Sequence, residues 1–218
     1  MIKDKIIEIQ DLLEKKLNEG KITFSSENAF VFHFAFELVK ENEAEVISVD
    51  FEVQLFDKNK SGDKYLDLLV EFKNKPEPIK VGFEFKYPKN GGGGTKDRRR
   101  IIHDLKRINS LVEKNEIDLG VFICATNDNH FMKKQKSFPE FQTYPGKSFI
   151  KGHLLPKDSK EKPKGNYGHS PEEVKCQSDI KFFWNNLNEE ISDKLCNYSI
   201  QKNKWSFLVP IIISKNSS

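Results

Sequence analysis

The sequence predicts an α/β domain in which a mixed β-sheet is flanked by helices. Three features carry this expectation: helical periodicity at the start of the chain, three consecutive strand-like runs after it, and an amphipathic segment leading into a nearly continuous apolar run of strand length. A length of 218 residues suits one domain. Only 37% of residues are hydrophobic and 32% are charged, yet 18 Phe supply a core and exclude a disordered chain.

Ile2, Ile6, Ile9, Leu12, Leu13 and Leu17 recur at helical spacing and stop before Gly20, so residues 2–18 are expected as an amphipathic helix with a glycine stop. A second helix follows, capped by Ser25 or Ser26, in which Phe30, Phe34, Phe36 and Leu38 supply the apolar surface through to about Lys40. The runs at 46–56, 64–72 and 79–87 are rich in β-branched and aromatic residues, and KNKSGD and NKPEP between them read as the turns of a meander. After the glycine run Gly91–Gly94, the segment 96–114 places Ile101, Leu105, Ile108 and Val112 on one helical face, with Thr95 as its cap. LGVFICAT at 119–126 reads as a central or parallel strand buried on both faces. Residues of about 127–173 lose all periodicity and are expected to be a long irregular, basic insertion. A helix over 180–196 and a last strand over 205–214 complete the domain, Pro210 pointing to an edge position or a bulge.

No run approaches the roughly 18 apolar residues of a membrane span, and MIKDKIIEIQ carries acids where a signal peptide is apolar. Cys124, Cys176 and Cys196 are odd in number and widely spaced, which argues against a disulfide framework or a cysteine zinc site. The expectation is a cytoplasmic protein with no membrane partner. The net charge of +3 conceals an asymmetry: residues 1–85 hold 12 Lys against 18 acids, and the basic excess falls in the remainder. Lys86–Lys114 and Lys133–Lys164 each carry nine basic residues against three acidic ones, a pattern that fits a polyanion partner.

Charges inside the strands carry the chemistry. In the third run Val81, Phe83, Phe85 and Tyr87 point to one side and Glu84 and Lys86 to the other, because strand side chains alternate. Asp67 is likewise an acid inside the apolar run KYLDLLVEF. If the two strands pair through the 73–78 turn, Asp67 and Glu84 converge, and two convergent carboxylates suit a hard cation such as Mg²⁺. The alternative for the same residues is a strand-face salt bridge.

Asp67, followed after 16 residues by Glu84-Phe85-Lys86, resembles the PD-(D/E)XK nuclease superfamily. The resemblance covers about residues 25–126 as a restriction endonuclease-like core, with a Glu on the preceding helix at Glu27, for which Glu37 is a rival. It extends to TKDRRRIIHDLKRINSL followed by LGVFICAT, and loosely to the C-terminal helix and strand of 180–214; Leu66 stands where a Pro often precedes the Asp. It implies a Mg²⁺-dependent DNA endonuclease of restriction or defence type, with Mn²⁺ able to substitute. Asp67, Glu84 and the Phe85 carbonyl would hold the metal, Lys86 would act on the attacking water, and Glu27 would serve a second metal or an outer water. Double-stranded DNA is the expected partner and a homodimer is left open. Lys96, Arg98, Arg99, Arg100, Lys106 and Arg107 would contact backbone phosphates. The alternatives are a non-catalytic nucleic-acid or protein-binding module on the same scaffold, and a structure-specific DNA-repair nuclease.

Overall fold

The computed structural model describes residues 2–55, 65–89, 94–134, 141–156, 174–192, 195–202 and 204–215. The KNKSGD turn, Gly91–Gly93 and much of the second basic stretch, residues 135–140 and 157–173, lie outside them.

Helix α1 (Ile2–Asn18) buries Ile6, Ile9, Leu13 and Leu17, and the chain leaves it through Gly20 at φ 71°, a left-handed value that favours glycine. Helix α2 (Glu27–Asn42) starts at Ser26, whose Oγ accepts the Ala29 N–H at 3.2 Å. Its buried stripe is Phe30, Phe34 and Leu38; Phe36, expected in the core, is 55% exposed. Two residues are about 200° of helical rotation, so Phe36 stands opposite Phe34 and stacks beside the equally exposed Phe32.

Strands β1 (Val46–Val53), β2 (Leu66–Phe72) and β3 (Ile79–Lys86) form the expected antiparallel meander. Helix α3 (Gly94–Glu113) then crosses over to β4 (Leu119–Thr126), which pairs parallel with β3. The helix begins one residue before Thr95, so that residue lies in its first turn and is not the cap. With β9 (Ser206–Ser214) antiparallel to β4, the five-stranded mixed sheet has the order β1-β2-β3-β4-β9. Helices flank it: α1 and α2 pack with Leu68, Val70, Phe83, Phe85, Val121 and Ile123 on one face. Ile101, Leu105, Ile108 and Val112 of α3 pack with Phe122 and Ile213 on the other. Strand β4 is therefore covered on both sides, as its apolar run requires. Gly120 sets the approach of α3, because a Cβ there would collide with Ile108 Cγ2. Pro210 satisfies both of its expected roles: β9 is an edge strand, and its register slips by one residue between Ile211 and Leu208, leaving the bulge around Pro210.

Residues 180–196 are not a helix: Ile180–Lys181 form β6, and Leu187–Ser192 (β7) pairs with Leu195–Ile200 (β8) as a hairpin outside the main sheet. Leu187 and Ile191 have helical spacing, but tertiary partners override it. Trp184 bridges to Leu208, the Asn185 N–H donates to the Phe207 carbonyl at 2.9 Å, and Asn186 turns the chain at φ 54°. The side chains of Asn185 and Asn186 both donate to Glu14 on α1. The described part of 127–173 is mostly irregular, as expected, but it packs on the domain. A 3₁₀ turn at Asn129–Met132 and the two-residue strand β5 (Ser148–Phe149), paired with β6, bring Phe131, Met132, Phe141 and Leu155 into the α3-side core. Among the described residues no helix is long and apolar enough to cross a membrane.

Candidate active site

Strand β3 sorts its side chains as alternation demands. Phe83, Phe85 and Tyr87 enter the α2-side core, where Phe85 meets Phe30 and Phe34 with ring centroids 5.4 and 5.3 Å away. Glu84 and Lys86 face the other way and meet α3. The β2–β3 ladder runs from Phe72↔Ile79 to Leu68↔Phe83. One step further on, a side chain takes over from the backbone: Asp67 Oδ2 accepts the Phe85 N–H at 2.7 Å.

Glu84 is wholly buried. Arg107 grips it with two parallel hydrogen bonds, Nε to Oε1 at 3.0 Å and Nη2 to Oε2 at 2.5 Å. The same Nη2 lies 2.7 Å from Asp104 Oδ1, and the other oxygen of Asp104 lies 3.0 Å from Lys86 Nζ. Lys86 also donates to Glu27 Oε1 at 3.0 Å and to the Phe85 carbonyl at 2.8 Å. Glu27 Oε2, at the start of α2, accepts the Tyr87 N–H at 3.1 Å. Six charged side chains from α2, β2, β3 and α3 thus form one cluster. Beside it, a cavity of about 330 Å³ is lined by Glu27, Lys86, Tyr87, Pro88, Asp97, Arg100 and Ile101.

Burial raises Glu84 well above the ordinary carboxylate range; Arg107 opposes the shift, while Asp104 and Asp67 reinforce it. Asp67 is raised for the same leading reason, with Lys86 and the Phe85 N–H pulling against it. Burial alone would lower Lys86 and Arg107, but the surrounding carboxylates outweigh it and hold both cations charged. Four carboxylates (Glu27, Asp67, Glu84, Asp104) face two cations (Lys86, Arg107), so the fully ionised cluster carries a formal excess of two negative charges.

The structure brings Glu27, Asp67, Glu84 and Lys86 together. Glu37, the rival helix acid, lies roughly 15 Å further along α2 by helical rise and instead ties α2 to α1 through Lys16 Nζ at 2.6 Å. The basic helix divides. Arg98, only 2% exposed, donates to the His130 carbonyl at 2.8 Å, and Lys106 is also buried, so neither stands on a surface where a phosphate contact was expected. Arg107 is committed to Glu84 and Asp104. Lys96 and Arg100 are exposed and Arg99 is half-buried. Sequence reasoning passed over Asp104, although an acid one turn from Ile101 and Ile108, on a helix facing the Glu84–Lys86 strand, was a readable signal.

The donor set fits a hard divalent ion in kind, since it offers carboxylate oxygens and a backbone carbonyl. Its present geometry is closed. Both Glu84 oxygens are on Arg107, the Phe85 carbonyl is on Lys86, and among the described residues no group of three or more His, Cys, Asp or Glu is arranged to hold a metal. No protein-family model matches the chain, and no curated protein or solved structure matches it either.

Proposed function

We propose that the protein is a Mg²⁺-dependent deoxyribonuclease with a PD-(D/E)XK-type site on a restriction endonuclease-like core, acting on double-stranded DNA in a restriction or defence setting in the cytoplasm. The observation that carries this reading is the convergence of Glu27, Asp67, Glu84 and Lys86, from three separate elements, into one cluster rich in carboxylates. The element order, helix, three-stranded meander, helix and parallel strand, supports it. Asp67 and Glu84 would hold the ion with the Phe85 carbonyl. A divalent ion held there would supply Lewis-acid chemistry, polarising the scissile phosphate and lowering the pKa of a bound water. Lys86, now held by Glu27, Asp104 and the Phe85 carbonyl, would exchange one of these contacts for the attacking water or a phosphate oxygen and so stabilise the charge that develops. Glu27 orients Lys86 and presents an acceptor for an outer water. Arg100, on the rim of the cavity, and Lys96 and Arg99 on the same helix position the DNA backbone.

A second reading, a non-catalytic nucleic-acid-binding module, is favoured by one observation: Arg107 already neutralises Glu84 without a metal. Supercoiled plasmid incubated with Mg²⁺, with and without chelator, separates the two. The nuclease converts it to open-circular or linear DNA only with Mg²⁺. The module binds it equally well in chelator and leaves it intact in Mg²⁺ and in Mn²⁺.

A further inference from the structure

We propose that Arg107 is a latch: a built-in cation that holds Glu84 in the metal-free protein and gives it up when a divalent ion arrives, staying tethered to Asp104. This rests on the metal-site reading above. Arg107 occupies both oxygens of Glu84, so an ion ligated there would sit within a few ångströms of a guanidinium, where like charges repel strongly in a partly desolvated site. One of the two groups must yield. Glu84 is 0% exposed on an interior strand, whereas the Arg107 side chain keeps 22% of its surface on a helix flank, so the movable partner is Arg107. It has somewhere to go, because its Nη2 is already 2.7 Å from Asp104 Oδ1. Release from Glu84 therefore exchanges a shared guanidinium for one held by Asp104 and leaves no orphaned buried cation. Asp104 also contacts Lys86 at 3.0 Å, which couples the latch to that ammonium. Arg107 and Asp104 are thus positioning residues: they set the affinity for the ion without touching the reacting atoms.

The test is a titration of the DNA-free protein with Mn²⁺ alone, free ion being followed by its electron paramagnetic resonance signal. Arg107→Gln removes the competing charge and is expected to tighten Mn²⁺ binding by about tenfold or more, while Arg107→Lys, which keeps the charge, stays near wild type. Equal or weaker binding by Arg107→Gln overturns the latch. If that variant does not fold, the wild-type Arg107 Nε–H resonance decides: it shifts when Mg²⁺ is added, and an unmoved resonance in a protein that binds Mg²⁺ overturns the proposal. Failure of both proteins to bind Mn²⁺ at millimolar concentration overturns the latch together with the metal site. Tighter binding by Arg107→Gln with no DNA cleavage by wild type supports the latch and rejects the nuclease.

Discussion

Replacing Glu84 by Ala, with chelator present so that no ion contributes, tests whether the cluster is built as described. The substitution removes a fully buried carboxylate that accepts two hydrogen bonds from Arg107. Breaking a buried pair from one side costs roughly 3–5 kcal/mol, because the partner charge is left uncompensated. Here the side chain of Arg107 keeps 22% of its surface and retains Asp104 at 2.7 Å, which places the cost at the low end. A loss of about 3 kcal/mol corresponds to a melting temperature lower by roughly 6–12 °C in a domain of this size. Urea denaturation gives the free energy, and an unchanged m-value shows that two-state behaviour is kept. Replacing both partners with Leu is expected to recover stability to within about 1 kcal/mol of wild type, since a buried ion pair and a packed apolar pair are often near parity. A midpoint for Glu84→Ala equal to or above that of wild type would mean that the burial of this carboxylate and its repulsion by Asp104 and Asp67 outweigh the Arg107 clamp, and the predicted cost would be refuted.

Other outcomes follow from the same geometry. Lys86→Ala is expected to lower kcat by at least about a hundredfold while DNA affinity stays within a few fold, because the role proposed for it lies in the transition state; gel shifts beside single-turnover cleavage check this. Changing Lys96, Arg99 and Arg100 to Gln is expected to flatten the salt dependence of DNA binding by roughly one unit for each phosphate no longer neutralised. Arg98→Gln, at a buried position bonded to the His130 carbonyl, is expected to leave that slope alone and to lower stability instead. Burial pushes Glu14 up to about 7, against the pull of its hydrogen bond from Asn185. The native state therefore binds the extra proton, and the contribution of Glu14 to stability is fully present below pH of about 4.5 and is lost as pH rises through about 7. Glu14→Gln is expected to flatten that decline in denaturation midpoints measured from pH 5 to 8.

Periodicity made the helix–meander–helix–strand order legible because α1, α2, β2 and α3 each bury one face and β3 and β4 bury both, while β1, which buries no residue fully, was read from its β-branched and aromatic content. It misled at 180–196, where Leu187 and Ile191 mimic a helical pair but Trp184, Asn185 and Asn186 are recruited by β9 and α1, partners distant in sequence. The Phe30–Phe34–Phe36 stripe was misread in the same way, since a helical face runs through residues three and four apart. At the site, strand alternation located Glu84 and Lys86, and turn length located Asp67. The clamp was not legible, because Arg107 looks like any surface Arg of a basic helix until the α3 crossover lays it over β3. Arg98 was likewise concealed, its burial coming from the 3₁₀ turn at Asn129–Met132.

Whether the cluster is a divalent-metal site incomplete without its ion is decided by a crystal soaked in Mn²⁺, with diffraction recorded near the manganese absorption edge. An anomalous peak is expected within coordinating distance of Asp67, Glu84 and the Phe85 carbonyl, with Arg107 turned from Glu84 toward Asp104. No peak, and Arg107 still paired with Glu84 at saturating Mn²⁺, would contradict the metal site and leave the cluster as a structural salt bridge.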